Sequence, residues 1–332
     1  MVGIPFQGPL CVDFDSLGIK YFVFNKFGNK PYSFTGIIKL FFYLYNSNFD
    51  IVHAQAGIVP CIIAKIFNVK LIIEHKHGLD FSLEKRNNLG FFRKYYEKSK
   101  KYFVDYTLTG SESDRQYLIN TLAYKPESVI TLYNGIEKNY IIRKNWIEKR
   151  DRFIIGTIGR LAYQKAQEYF IEMAYLISQE KKDKKIVFEI WGEGEEYSRL
   201  NSLISKYHLE DEVTLNGYAY NREELYCKFD IFLLPSRYEG IPYVILEAMS
   251  AGIPIVATDI GGVNEVIKKD YNGILVPKEN PQKLKEAVMK VANDDKFAHY
   301  LGDNAYNDFI RNWSIDSTIS SLEKIYSLIE NS

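Results

Sequence analysis

The 332-residue chain is poor in cysteine. Its three, Cys11, Cys61 and Cys227, are far apart and odd in number. They imply neither a disulfide framework nor a zinc site, and a reducing cytoplasm is the expected compartment. Long apolar runs are lacking too. The longest, "LFFYLY" at 40–45, falls far short of the ~20 residues that span a bilayer. The opening "MVGIPFQGPL" has no basic region and no long apolar core, so it does not read as a signal peptide. No strand candidate is followed by Gly-x-Gly-x-x-Gly, which argues against a nicotinamide enzyme. Internal repeats and low-complexity segments are absent from the sequence. Net charge is absent as well, with 42 basic and 42 acidic residues.

That zero is an average over two unlike halves. Residues 1–150 hold 21 Lys and Arg against 13 Asp and Glu, a net of +8, which leaves −8 for the rest. A basic first half favours an anionic surface or substrate, and no nucleic-acid partner is expected. The plainer reading is drift between two domains. With 46% hydrophobic and 25% charged residues, the composition is that of a soluble globular protein. The length suggests about two domains, each able to bury a core.

Short β-branched runs alternate with longer helical stretches, the pattern of a parallel α/β protein. The second half offers strands at 153–158, 186–191, 213–217, 230–235, 253–258 and 273–277. They are near-continuous apolar runs, as strands buried on both faces should be. The first half offers strands at 19–24, 50–55, 69–75, 105–111 and 128–135. The polar stretch 137–152 reads as a linker, and Ile319, Leu322, Ile325 and Ile329 give the tail a helical apolar stripe. The expected division is an N-terminal acceptor-side domain at 1–140, a linker at 141–152 and a C-terminal domain at 153–312. A final helix at 313–332 would cross back to the N-terminal domain. Two doubly wound Rossmann-like domains leave a cleft at the carboxyl ends of their strands, where ligands bind.

Four loops could carry chemistry there. In "RYEGIPYVILEAMSAG", Glu239 lies in a loop and Glu247 in the helix that follows. Pro242 suits the first helical position and Gly252 the stop. A carboxylate among Val244, Ile245, Leu246, Ala248 and Met249 needs a partner if buried. Two ribose hydroxyls would serve; the alternative is a surface glutamate. In "IGTIGRLAYQKAQEYF", Arg160 and Lys165 follow a glycine-rich turn and precede a helix. They suit a diphosphate, or are simply solvated. His75 and His77 are placed at the carboxyl end of a strand, as ligand-facing or packed histidines. Gly261 and Gly262 follow a strand and permit close backbone approach.

Taken in order, these motifs resemble glycosyltransferase family 4, the retaining GT-B glycosyltransferases. Glu239 and Glu247 match its Glu-x7-Glu element, within a run from Pro235 to Glu265 that agrees nearly letter for letter. "GRL…K" is matched by Arg160 and Lys165, "GEGEEY" (192–197) by its usual glycine turn, and "LYNGIE" (132–137) by its exit from the first domain. The resemblance implies a GT-B fold and transfer of a sugar from a nucleotide-sugar donor, UDP-linked by preference. The acceptor would be a saccharide or a polyprenyl-linked saccharide in surface polysaccharide synthesis. It implies that Arg160 and Lys165 hold the diphosphate and Glu247 the ribose. Glu239 would meet the donor sugar, with Gly240, Ile241, Gly261 and Gly262 lining the site. His77 would sit near the transferred sugar, with His75 second. No metal or other cofactor is implied. "DFD" at 13–15 imitates a metal motif of another glycosyltransferase fold and is read as chance.

Two departures stand out. Ala166 occupies a position where the family usually has glycine. The family's first strand, glycine-rich loop and helix are expected to be missing, which would leave the N-terminal domain shortened and transfer impaired. Competing readings are a GT-B epimerase and a non-catalytic GT-B partner protein. Separately, the stretch 85–103 interleaves Lys85, Arg86, Arg93, Lys94, Lys98, Lys100 and Lys101 with aromatics. It reads as a contact with the anionic inner face of a membrane, or as a solvated helix with a buried aromatic stripe.

Overall fold

The computed structural model describes residues 2–4, 10–23, 33–55, 57–76, 90–138, 140–146, 152–180 and 185–328. The second half of the chain forms one parallel sheet of β7 (Phe153–Ile158), β8 (Ile186–Trp191), β9 (Val213–Leu215), β10 (Ile231–Leu234), β11 (Ile255–Thr258) and β12 (Ile274–Val276). The strand order is β12-β11-β10-β7-β8-β9. From β7 the chain moves outward through β8 to β9, then returns to β10 and moves the other way. The order therefore reverses between β7 and β10, which is where an open α/β sheet binds its ligand. Both faces are covered, one by a core including Phe170, Phe188 and Leu284, the other by Tyr226, Phe232 and Met249. Strands buried on both faces can carry no polar face, which is why they read as apolar runs.

In the first half, β3 (Ile51–Ala54), β4 (Leu71–Lys76), β5 (Tyr106–Thr109) and β6 (Val129–Thr131) form a parallel sheet in that order. A further strand lies at the chain start. Val2–Ile4 forms a strand, β1, parallel to β2 (Tyr21–Val23), with the helix Leu10–Ser16 between them. β1 adds a strand to those read from the sequence, and the helix lies inside the 8–24 segment. Among the described residues these two strands make their own sheet and do not pair with β3.

The described part of the 137–152 stretch is mostly exposed but is anchored by two buried residues, Ile141 and Lys144. Lys144 is buried, and its ammonium donates to Asp230 at 2.8 Å and to the Phe229 carbonyl at 2.8 Å. The last helix, Ile315–Tyr326, lays Leu322, Ile325 and Tyr326 against Leu71, Ile73 and Leu108 of the four-stranded sheet. The chain passes between the halves at one place, where Ile136 and Ser314 form a parallel bridge. A Cβ on Gly135 would lie 2.4 Å from the Ser314 carbonyl, so only glycine admits that crossing. Among the described residues no helix is long and apolar enough to cross a membrane.

Candidate active site

The loops after β7 and β10 meet at the reversal point. The Arg237 N–H donates to the Gln164 carbonyl at 2.9 Å, and Gln164 Nε2 donates to the Tyr238 carbonyl at 2.9 Å. Arg237 fastens the same loops from behind. Its guanidinium donates to Glu168 at 2.7 Å, to Glu279 at 2.7 Å and to the Tyr163 carbonyl at 2.6 Å. Burial pushes the Glu168 carboxyl up, but the bonds from Arg237 and Arg199 outweigh it and hold the group below its ordinary range.

Within this frame Lys165 Nζ lies 2.6 Å from Glu239 Oε1, and Ser236 Oγ donates to the same oxygen at 2.7 Å. Two residues read from separate motifs are therefore one ion pair. An ammonium has three donors, so Lys165 can hold Glu239 and still face an anion. The Arg160 side chain is exposed and makes no ion pair among the described residues. Ala166 adopts the left-handed conformation, φ 53° and ψ 38°, so alanine here takes up the geometry that glycine usually supplies.

The helix carrying Glu247 runs Tyr243–Ala251, with Pro242 as its N-cap rather than its first helical residue and Gly252 left-handed at its end. Glu247 is 4% exposed. Its partners are residues the sequence reading did not select: Arg222 Nη1 at 3.1 Å from Oε1 and the Tyr226 hydroxyl at 2.5 Å from Oε2. Burial, then the neighbouring Glu247 carboxylate, raises the Tyr226 hydroxyl well above its ordinary value. Burial would lower the Arg222 guanidinium, but Glu247 reverses that and holds it raised. Beside this group lies a pocket of about 380 Å³ lined by Gly159, Arg160, Trp191, Glu193, Tyr218 and Arg222. That is within the usual range for small-molecule sites.

Gly261 and Gly262 open the helix Gly261–Val266. Here the close approach is internal. A Cβ on Gly262 would lie 1.9 Å from the Gly240 carbonyl oxygen, so loop and helix can meet only through glycine. Gly240 itself is exposed, and Ile241 is half-buried. One turn on, Glu265 reaches the first half of the chain. Its carboxylate accepts from the Glu112 N–H at 2.7 Å, the Ser113 N–H at 2.9 Å and the Tyr133 hydroxyl at 3.0 Å.

His77 lies outside the described residues. His75 is at the carboxyl end of β4 and is the packed alternative, buried, with its ring stacked on His53 at 5.5 Å between centroids. Asp13 and Asp15 lie on the helix Leu10–Ser16. Among the described residues no group of three or more His, Cys, Asp or Glu is arranged to hold a metal.

The family model "Glycosyl transferases group 1" matches residues 139–308, a span that includes both loops, Arg222, Tyr226 and the Glu247 helix. The chain belongs to this family. The model "Glycosyltransferase Family 4" matches residues 8–140, so this group 1 glycosyltransferase is recognised over most of its length. One relative is the Escherichia coli UDP-Gal:alpha-D-GlcNAc-diphosphoundecaprenol alpha-1,3-galactosyltransferase, 27% identical over 306 residues, covering 87% of this chain and 78% of that protein. Among solved structures, Anabaena HepE in complex with UDP matches with a TM-score of 0.82 at 18% identity, over 98% of this chain and 91% of that one. A Rickettsia africae glycosyltransferase matches with a TM-score of 0.80 at 18% identity, over 97% of this chain and 88% of that one. These likenesses establish the GT-B fold, and the family makes the chain a glycosyltransferase that uses a nucleotide sugar.

Proposed function

We propose that the protein moves a sugar, with retention of configuration, from a UDP-sugar to a saccharide carried on a lipid diphosphate, in building a surface polysaccharide. The observation that carries this reading is the group at the sheet's reversal point. An open cation, Arg160, lines a pocket whose wall also carries Arg222, the partner of the buried Glu247 carboxylate, and a paired cation, Lys165, stands on the same loop as Arg160. When the bond from sugar to diphosphate breaks, negative charge grows on the leaving phosphate oxygen. Preorganised cations stabilise that charge in place of a metal ion. Glu247 would accept the ribose hydroxyls, and Glu239, held by Lys165 and Ser236, would meet the donor sugar. Gly240, Ile241, Gly261 and Gly262 would line its path. The acceptor class and the preference for uridine follow the name of the Escherichia coli relative.

We assign the protein to the cytoplasm, with a peripheral contact on the inner face of the membrane. The helix Phe91–Ser99 supports this contact. Phe92 is 87% and Tyr95 68% exposed, beside the exposed side chains of Arg93 and Lys94. A helix packed through its aromatic stripe would hide these rings. Basic residues with outward aromatics suit an anionic interface.

The test is a panel of UDP-, GDP- and ADP-sugars, read first by thermal stabilisation and then by transfer to a diphosphate-linked lipid saccharide. Stabilisation by UDP-sugars and a lengthened lipid product are expected. Stabilisation by no nucleotide, or a product that is only isomerised nucleotide sugar, would overturn the reading.

A further inference from the structure

We infer that Arg222 and Tyr226 are positioning residues that aim the Glu247 carboxylate at the donor's ribose diol; this rests on the donor-site reading above. An ionised carboxylate has two oxygens and about four acceptor sites. Arg222 fills one site on Oε1 at 3.1 Å, and Tyr226 fills one on Oε2 at 2.5 Å. Each oxygen keeps one site. Two free sites on the two oxygens of one plane match two adjacent hydroxyls. One partner alone would leave the carboxylate free to rotate about its last bond.

The two partners act differently. Tyr226 is fully buried and packed near Phe229 and Phe232, so its hydroxyl is fixed. Its pull alone would leave an anion at 4% exposure without a counter-charge, which is costly. Arg222 supplies that charge. It also stands on the pocket wall with Tyr218 and Ala219. The sequence carries a trace of the arrangement. Arg222 and Tyr226 are four apart in "NREELY", and so share a face of one helical turn. Nothing in their spacing points to Glu247.

The experiment measures binding of UDP and of 2′,3′-dideoxy-UDP to the whole protein, with donor KM and kcat alongside. The variants are Arg222→Gln, Arg222→Lys, Tyr226→Phe and Glu247→Ala. Wild type should prefer UDP. Arg222→Gln and Tyr226→Phe should each reduce that preference about tenfold, the scale of one bond to a charged group. They should raise KM while kcat stays within about threefold, since the missing contact is uniform binding. Arg222→Lys should restore part of the preference, because it returns the charge. A role confined to stability would lower the melting temperature and leave the diol preference intact. If both variants keep the full preference while Glu247→Ala loses it, the inference falls and the donor site stands. If Glu247→Ala also keeps it, the ribose assignment itself falls.

Discussion

The Glu265 carboxylate lies 2.7 Å from the backbone N–H of Glu112. That contact joins a helix of the six-stranded half to the N-terminus of the helix Glu112–Asn120 in the other half. A helix start carries unpaired N–H groups and partial positive charge, so a carboxylate there satisfies both. Bonds to a charged group contribute about 1.5–3 kcal/mol each at most, and these share one anion. Glu265→Ala is expected to loosen the halves. Small-angle scattering should show a larger radius of gyration, and kcat/KM for the acceptor should fall, while UDP affinity holds within about threefold. An unchanged scattering profile would remove Glu265 from this role.

Lys165→Ala should harm turnover more than Arg160→Ala does. Both remove a cation that the proposed site sets against the leaving diphosphate. Lys165→Ala also strips Glu239, whose side chain is only 7% exposed, of its ion-pair partner. Breaking a buried pair from one side costs about 3–5 kcal/mol in full burial, and less here because Ser236 and Gln164 still donate. A drop in melting temperature should therefore accompany Lys165→Ala alone. Equal stability and equal rates in the two variants would contradict the shared role of Lys165 and Glu239.

Gly262→Ala should be among the most damaging single-methyl changes in the protein. The added carbon would stand 1.9 Å from the Gly240 carbonyl, so the backbone on one side must move. Overpacking of this kind costs about 1–3 kcal/mol. It also shifts the Glu239–Ile241 loop. Donor KM should rise together with the loss in stability. A fully active, fully stable variant would show that the loop yields freely.

Ala166→Gly sets two terms against each other. Relief of the left-handed conformation is worth about 1–2 kcal/mol. Loss of one buried methyl costs about 0.8 kcal/mol. The expected outcome is neutral to about 1 kcal/mol more stable, read by denaturant titration. A clear destabilisation would mean that the methyl packs better than its conformation costs.

Replacing Arg93 and Lys94 with glutamate should abolish sedimentation with phosphatidylserine vesicles, as each basic residue near such a surface contributes about 1 kcal/mol. Phe92→Ser should weaken it without changing its salt dependence. Binding that ignores both changes would place the membrane contact elsewhere or nowhere.

The strands β7 to β12 were legible because burial on both faces leaves an unbroken apolar run. Glu247 was legible as a problem, a carboxylate among apolar neighbours, but its partners were not. Arg222 and Tyr226 lie more than twenty positions earlier, and only tertiary packing brings them to it. The Lys165–Glu239 pair spans 74 positions for the same reason. β1 was missed because three residues are too few to show a period. His75 was legible as the end of a strand, but the choice between a packed ring and a ligand-facing one needed the packing around it, which buries the ring.

The bridge between Ile136 and Ser314 has a mechanical meaning. The two passes of the chain between its halves are hydrogen-bonded to each other, with Ile136 N to the Trp313 carbonyl at 3.1 Å and Ile315 N to the Ile136 carbonyl at 2.9 Å. Two tethers joined at one point forbid sliding but permit swinging. The bridge is thus the natural pivot for any swing of the halves, and the Glu265 contacts to Glu112 and Ser113 are a latch that such a swing would have to break.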